Sequence, residues 1–196
     1  MKFALSLAAS VALALGAAEA QSGTSVLFIG NSFTALNGGI AQQLKGLAPS
    51  IDTMRIDVGG YTLEQHWNDG KALQAIHRGG WGYVVLQEQS QTAILSRNKF
   101  QDYASYFDGA IKGSGAKTIL LMTWERPDSA RAGVTSANLA SVFNALGKQL
   151  GAQVAPAGTA FARSLREKPG LALYVQDGHP TVAGTYLAAC VVYATI

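Results

Sequence analysis

Short apolar runs that alternate with stretches of helix length constrain this fold more than any other feature of the chain. The runs cover residues 25–29, 55–58, 83–87, 118–122 and 153–155. Between them lie residues 40–48, 62–78, 99–112 and 136–150, in which apolar residues recur three or four apart. Leu63, Trp67, Leu73 and Ile76 mark one such face, and Leu139, Val142, Phe143 and Leu146 another. A strand that is apolar along its whole length must be covered on both sides, which is the condition of a parallel sheet between two helical layers. Right-handed crossovers then predict a three-layer α/β/α sandwich of about five parallel strands. A last helix is expected from Thr181 to the chain end at Ile196, where no stop signal appears and the chain reads as though it could continue. Gly59-Gly60, Gly79-Gly80 and Gly113-Ser114-Gly115 punctuate the elements.

The first twenty residues read as a separate signal. Lys2 precedes an apolar run over 3–15, followed by Gly16 and by Ala18-Glu19-Ala20. A charged start, a short apolar core and small residues two apart are the pattern of a secretory signal peptide, with cleavage expected after Ala20 and one domain over 21–196. Nothing later in the sequence is long and apolar enough to span a bilayer, so a periplasmic or secreted protein is expected. A net charge of +3 without a basic cluster gives no support for a nucleic-acid partner. The single cysteine, Cys190, excludes an intramolecular disulfide framework and a cysteine-based zinc site. Its apolar neighbours favour a small buried side chain. His66 and His77, eleven residues apart, match no metal-ligand spacing and are expected to be surface or half-buried residues.

In a sheet of this kind, active sites form at the carboxyl ends of the strands. Those ends deliver Gly30-Asn31-Ser32-Phe33-Thr34, Gly59-Gly60-Tyr61-Thr62, Gln87-Glu88-Gln89-Ser90-Gln91 and Thr123-Trp124-Glu125. Asp177-Gly178-His179-Pro180 precedes the last helix. A serine, a histidine, an acid, loop glycines and side-chain amides are the parts acyl transfer needs. Read singly, Asn31-Ser32 could equally cap a helix and His179 could simply close a loop.

Taken together, these stretches resemble the SGNH (GDSL-like) hydrolase superfamily, and within it an uncharacterised bacterial secreted branch. The resemblance rests on residues 28–34, 59–63, 84–90 and 177–181 with Gly184, in that order, and spans nearly all of the chain after residue 20. It implies a flavodoxin-like fold and a serine esterase mechanism that uses no metal or other cofactor. It further implies Ser32 as nucleophile, His179 as general base and Asp177 as the acid that orients it. The oxyanion would be held by the N–H groups of Ser32 and Gly60 and by a side-chain amide. Asn31, Phe33, Thr34 and Trp124 would line the site, whereas Trp67 and Trp81 are expected in the core.

Two departures from the family pattern stand out. The third stretch usually supplies an asparagine, but here glutamines occupy positions 87, 89 and 91. Gln87 is the first choice for the amide and Gln89 the second, since both face one side of an extended strand. One residue, not two, separates the acid from His179. Asp177 therefore either reaches the imidazole directly or leaves a Ser32–His179 dyad, with Glu88 and Glu125 as second-choice acids. The expected substrate is a small-molecule or polysaccharide ester, with acetyl or short acyl groups on carbohydrate as the first choice. Aryl or lipid esters, thioesters and a non-catalytic carbohydrate-binding role are the alternatives.

Overall fold

The computed structural model describes residues 24–196, so the export signal expected over 1–20 lies outside the described residues. Five strands, β1 (Ser25–Gly30), β2 (Asp52–Asp57), β3 (Tyr83–Leu86), β4 (Lys117–Leu121) and β5 (Gln153–Ala155), form one sheet in the order β2-β1-β3-β4-β5. Every neighbouring pair is parallel, with Val26 beside Tyr83 and Thr53, and Leu120 beside Leu86 and Val154. Among the described residues nine α-helices and one 3-10 turn (Ser129–Ala132) join or follow the strands: α1 (Ser32–Ala35), α2 (Gly39–Leu47), α3 (Leu63–Asp69), α4 (Lys71–Arg78), α5 (Thr92–Leu95), α6 (Arg97–Gly113), α7 (Ser136–Leu150), α8 (Ala157–Glu167) and α9 (Val182–Thr195). This is the expected three-layer sandwich.

The sheet splits the core in two by simple alternation of side chains. Leu27, Ile29, Val84, Leu86, Leu120 and Met122 face α3, α4, α6 and α7, where they meet Leu63, Ile76, Phe107 and Phe143. Val26, Phe28, Val85, Ile119 and Leu121 face the other way, toward Phe33, Ile40, Leu44, Phe161, Ala188 and Val192. The central strands β1, β3 and β4 are therefore buried on both faces, while the edge strand β2 is half-exposed throughout. Trp67 and Trp81 pack against the first cluster, as expected.

Four local features differ from the sequence reading. The helix expected over 62–78 is two helices, because Gly70 adopts a left-handed φ of 79° that ends α3 and starts α4. Strand β2 begins at Asp52, three residues before the expected start, since an exposed edge strand carries no continuous apolar run. The third strand ends at Leu86, although the Gln87 N–H still donates to the Ile29 carbonyl at 2.9 Å. Helix α8 was not expected at all. It is anchored by Phe161, and Gly158 lets it lie directly on β4's exit, where a Cβ would come within 2.0 Å of the Thr123 carbonyl oxygen. Among the described residues no helix is long and apolar enough to cross a membrane.

Candidate active site

The strand order reverses direction between β1 and β3, and in open parallel sheets this switch point opens a crevice at the carboxyl ends. Here β1 runs into α1 through Asn31. The Asn31 carboxamide oxygen accepts from the Phe33 N–H at 3.1 Å and caps the helix, while its Nδ2 donates to the Tyr61 carbonyl at 2.8 Å. Ser32 becomes the first residue of the helix, at the mouth of the crevice. Gly30 makes this turn possible by close approach, because a Cβ there would lie 2.5 Å from Gln87 Oε1 and 2.7 Å from Thr34 Oγ1.

From the far end of the chain, the segment before α9 brings His179 to the same place. Its ring Nε2 lies 2.9 Å from Ser32 Oγ across 147 residues of sequence. The ring Nδ1 lies 2.9 Å from Asp177 Oδ2, and the second carboxylate oxygen accepts from the His179 N–H at 3.0 Å. An ionised carboxylate can only accept, so the imidazole proton sits on Nδ1 and Nε2 is left to accept from the serine hydroxyl. These bonds, the backbone N–H foremost, hold the Asp177 carboxyl below the usual carboxylate range. The one-residue spacing thus suffices for contact, because Asp177 folds back on the backbone of the residue it orients.

The loop is fixed from behind. Gly178 N–H donates to the Val175 carbonyl at 2.8 Å, and Asn37 Nδ2 donates to the Pro180 carbonyl at 2.8 Å. Trp124 Nε1 donates to the Gly178 carbonyl at 2.9 Å, with the indole stacked between Phe33 and Phe161 at centroid distances of 4.9 and 4.2 Å. Trp124 is only 1% exposed. Expected as a lining residue, it instead supports the histidine loop from the core, because its ring is enclosed by aromatic neighbours.

A cavity of about 500 Å³ opens over Ser32 and His179, lined also by Asn31, Phe33, Gly59, Gly60, Gln89, Ser90, Arg126 and Asp177. Thr34 is buried beneath it, its hydroxyl donating to the Asn31 carbonyl at 2.8 Å. Gln87 corrects a sequence expectation. Its Oε1 accepts from the Asn31 N–H at 2.8 Å and its Nε2 donates to the Glu88 carbonyl, so its amide braces the serine turn, fully buried and outside the lining of the cavity. Gln89 lines the cavity, with Oε1 accepting from the Gln91 and Thr92 N–H groups, which turns its Nε2 to the opposite side. The second-choice acids are engaged elsewhere. Glu88 Oε1 accepts from Leu63 N–H at 3.3 Å and Gln89 N–H at 2.6 Å, and Glu125 Oε2 accepts from Ser136 N–H at 2.7 Å. Burial pushes the Glu88 carboxyl up to about 7.

Two residues near the site escaped the sequence reading. His66, expected to be exposed or half-buried, is 1% exposed, and its Nε2 donates to the Gly30 carbonyl at 2.7 Å. Burial lowers its pKa, outweighing the Gly30 carbonyl, which by accepting from the ring favours the protonated form. Its position three residues after Leu63 on the buried face of α3 was the available signal. Arg126 resembled other scattered surface cations; only its place just past β4 hinted at the cavity.

No family model matches the sequence, and no curated protein matches it. Solved structures do. A protein assigned to the SGNH hydrolases from Slackia heliotrinireducens superposes with a TM-score of 0.77 at 28% identity, covering 88% of this chain and 98% of that one. TesA superposes at 0.67 with 19% identity, over 88% of this chain and 97% of its own. A catalytic mutant of Axe2, an acetylxylan esterase from Geobacillus stearothermophilus, gives 0.67 at 14% identity, over 89% and 94% of the two chains. With a five-stranded parallel sheet, helices on both faces and these structural neighbours, the chain has the SGNH (GDSL-like) hydrolase fold.

Proposed function

We propose that this chain is a serine ester hydrolase that works through an acyl-enzyme, with Ser32 as nucleophile, His179 as general base and Asp177 as the group that orients the imidazole. The observation that carries the reading is the continuous path from Ser32 Oγ to His179 Nε2 and from Nδ1 to Asp177, each link 2.9 Å. The hydroxyl proton passes to Nε2 as Oγ attacks the ester carbonyl. The resulting oxyanion is met by the N–H groups of Ser32 and Gly60, with the Gln89 side-chain amide as third donor. The imidazolium then protonates the departing alcohol oxygen, and a water molecule repeats the attack to release the acid and restore Ser32. Asp177 stays ionised and stabilises the transient cation.

Short acyl groups on carbohydrate hydroxyls are the substrate class we favour, which agrees with the open cavity and with the acetylxylan esterase among the structural neighbours. Residues 1–20 fit an export signal that leaves a mature chain starting at Gln21, and N-terminal sequencing of exported protein reads this directly. The central test is labelling with a fluorophosphonate and turnover of 4-nitrophenyl acetate, in native and Ser32→Ala protein. Labelling and turnover confined to the native protein are expected. Equal labelling of both proteins, or no labelling and no turnover in either, overturns the reading and leaves a non-catalytic binding role.

A further inference from the structure

Among the described residues Arg126 is the one lysine or arginine that lines the cavity over Ser32. Its side chain is built in. The aliphatic stem runs beneath Gly178, where a Cβ would fall 2.4 Å from Arg126 Cγ and 2.9 Å from Cδ, and where φ is +90°. Its own N–H donates to Ser129 Oγ at 3.1 Å. At the head, one terminal nitrogen donates to Ser90 Oγ at 3.2 Å, whereas Nε is buried without any hydrogen-bond partner. Among the described residues no carboxylate forms an ion pair with the guanidinium. Asp177, the carboxylate that lines the same cavity, feels the Arg126 charge without touching it and bonds through both oxygens to His179.

A half-buried guanidinium with an orphaned N–H and no carboxylate in direct contact is costly to keep unless something that enters the cavity pairs with it. We propose that Arg126 is a specificity residue that binds an oxyanion substituent of the substrate, so that the preferred esters carry a carboxylate close to the scissile bond. The planar fork of Arg suits a carboxylate in two-point contact, and the pinned stem means little conformational freedom is lost on binding. On its other side Arg126 borders a smaller cavity of about 260 Å³ that Glu125 and Asp128 also line. Two carboxylates line that smaller cavity, whereas Asp177 alone lines the cavity over Ser32 and is already bonded to His179, so the anion is favoured on the side of Arg126 that faces Ser32.

The inference uses the esterase reading for the reacting bond, but the anion site is testable without it. Two substrate pairs locate the charge: 3-acetoxybenzoate against 3-acetoxybenzamide places it in the alcohol half, and 4-nitrophenyl hemisuccinate against 4-nitrophenyl valerate places it in the acyl half. At low salt we expect kcat/KM for the anionic member of at least one pair to exceed its neutral partner about tenfold or more. The ratio falls to near one in Arg126→Gln, is partly retained in Arg126→Lys, and shrinks as salt is added. Binding of 3-acetoxybenzoate and of 4-nitrophenyl hemisuccinate to Ser32→Ala and to the Ser32→Ala/Arg126→Gln double variant, followed by ligand NMR, reads the site without turnover. No anionic preference in either pair, or one that survives in Arg126→Gln, overturns the inference and leaves the esterase reading standing. Arg126-dependent binding with no turnover of any ester keeps the anion site and overturns the esterase reading. Neither turnover nor Arg126-dependent binding overturns both.

Discussion

Replacing Glu88 by Gln should stabilise the protein in mild alkali and make little difference in acid. The Glu88 carboxyl is 1% exposed, and burial lifts it from 4.5 to about 7. Between those values the folded chain holds a proton that the unfolded chain has released, so folding takes up a proton and stability falls as pH rises. At 1.36 kcal/mol per unit, the difference of about 2.5 units amounts to about 3 kcal/mol lost between pH 4.5 and 7. A glutamine keeps the oxygen that accepts from the Leu63 and Gln89 N–H groups, carries no charge to desolvate, and cannot titrate. Urea unfolding of both proteins from pH 4 to pH 9 should therefore show curves that nearly coincide at the acid end and separate by up to about 3 kcal/mol above pH 7, with the variant more stable. A gap that does not change with pH, or a variant less stable at pH 8, would refute the reasoning. Either outcome would mean that the two N–H groups outweigh burial and that Glu88 folds as a satisfied carboxylate. The consequence reaches the site, because this carboxyl ties the start of α3 to the backbone that presents Gln89.

Asp177→Asn keeps an acceptor for the His179 N–H but removes the charge that orients and stabilises the imidazole. We expect kcat to fall on the order of a hundredfold or more with the melting temperature nearly native, and an unchanged kcat would show that the ring is oriented by other contacts. Trp124→Phe preserves the stack between Phe33 and Phe161 but leaves the Gly178 carbonyl without its donor. Thermal unfolding should show a loss of about 1–3 kcal/mol, and kcat should drop because Gly178 adjoins His179. Native stability together with native kcat would dismiss the supporting role given to the indole.

The central sheet was legible because β1, β3 and β4 lie between two helical layers, and burial on both faces forces continuous apolar runs that need no context to read. The edge strand β2 was legible only in part, since every one of its residues keeps some contact with solvent. Helix α8 went unread although Ala157, Phe161 and Leu165 are spaced four apart, because such a short apolar pattern in a sequence rich in small residues gives little contrast. At the site, the order of the motifs singled out Ser32, Asp177 and His179, which the fold brings within hydrogen-bond reach of one another.

By itself, then, the sequence determined the layer architecture and the residue types gathered at the strand ends, because periodicity and turn chemistry are local properties. Tertiary structure alone decided which polar groups are free to act. Gln87 and Gln89 share one chemistry, yet the first is buried against the Asn31 and Glu88 backbones and the second reaches the cavity. His66 passed for a surface or half-buried residue and is fully buried against Gly30, while Arg126 passed for a solvated cation and is pinned in the cavity over Ser32. A donor's availability depends on every neighbour it could satisfy. In this chain those neighbours come from segments tens to more than a hundred residues away, beyond the range of any local pattern.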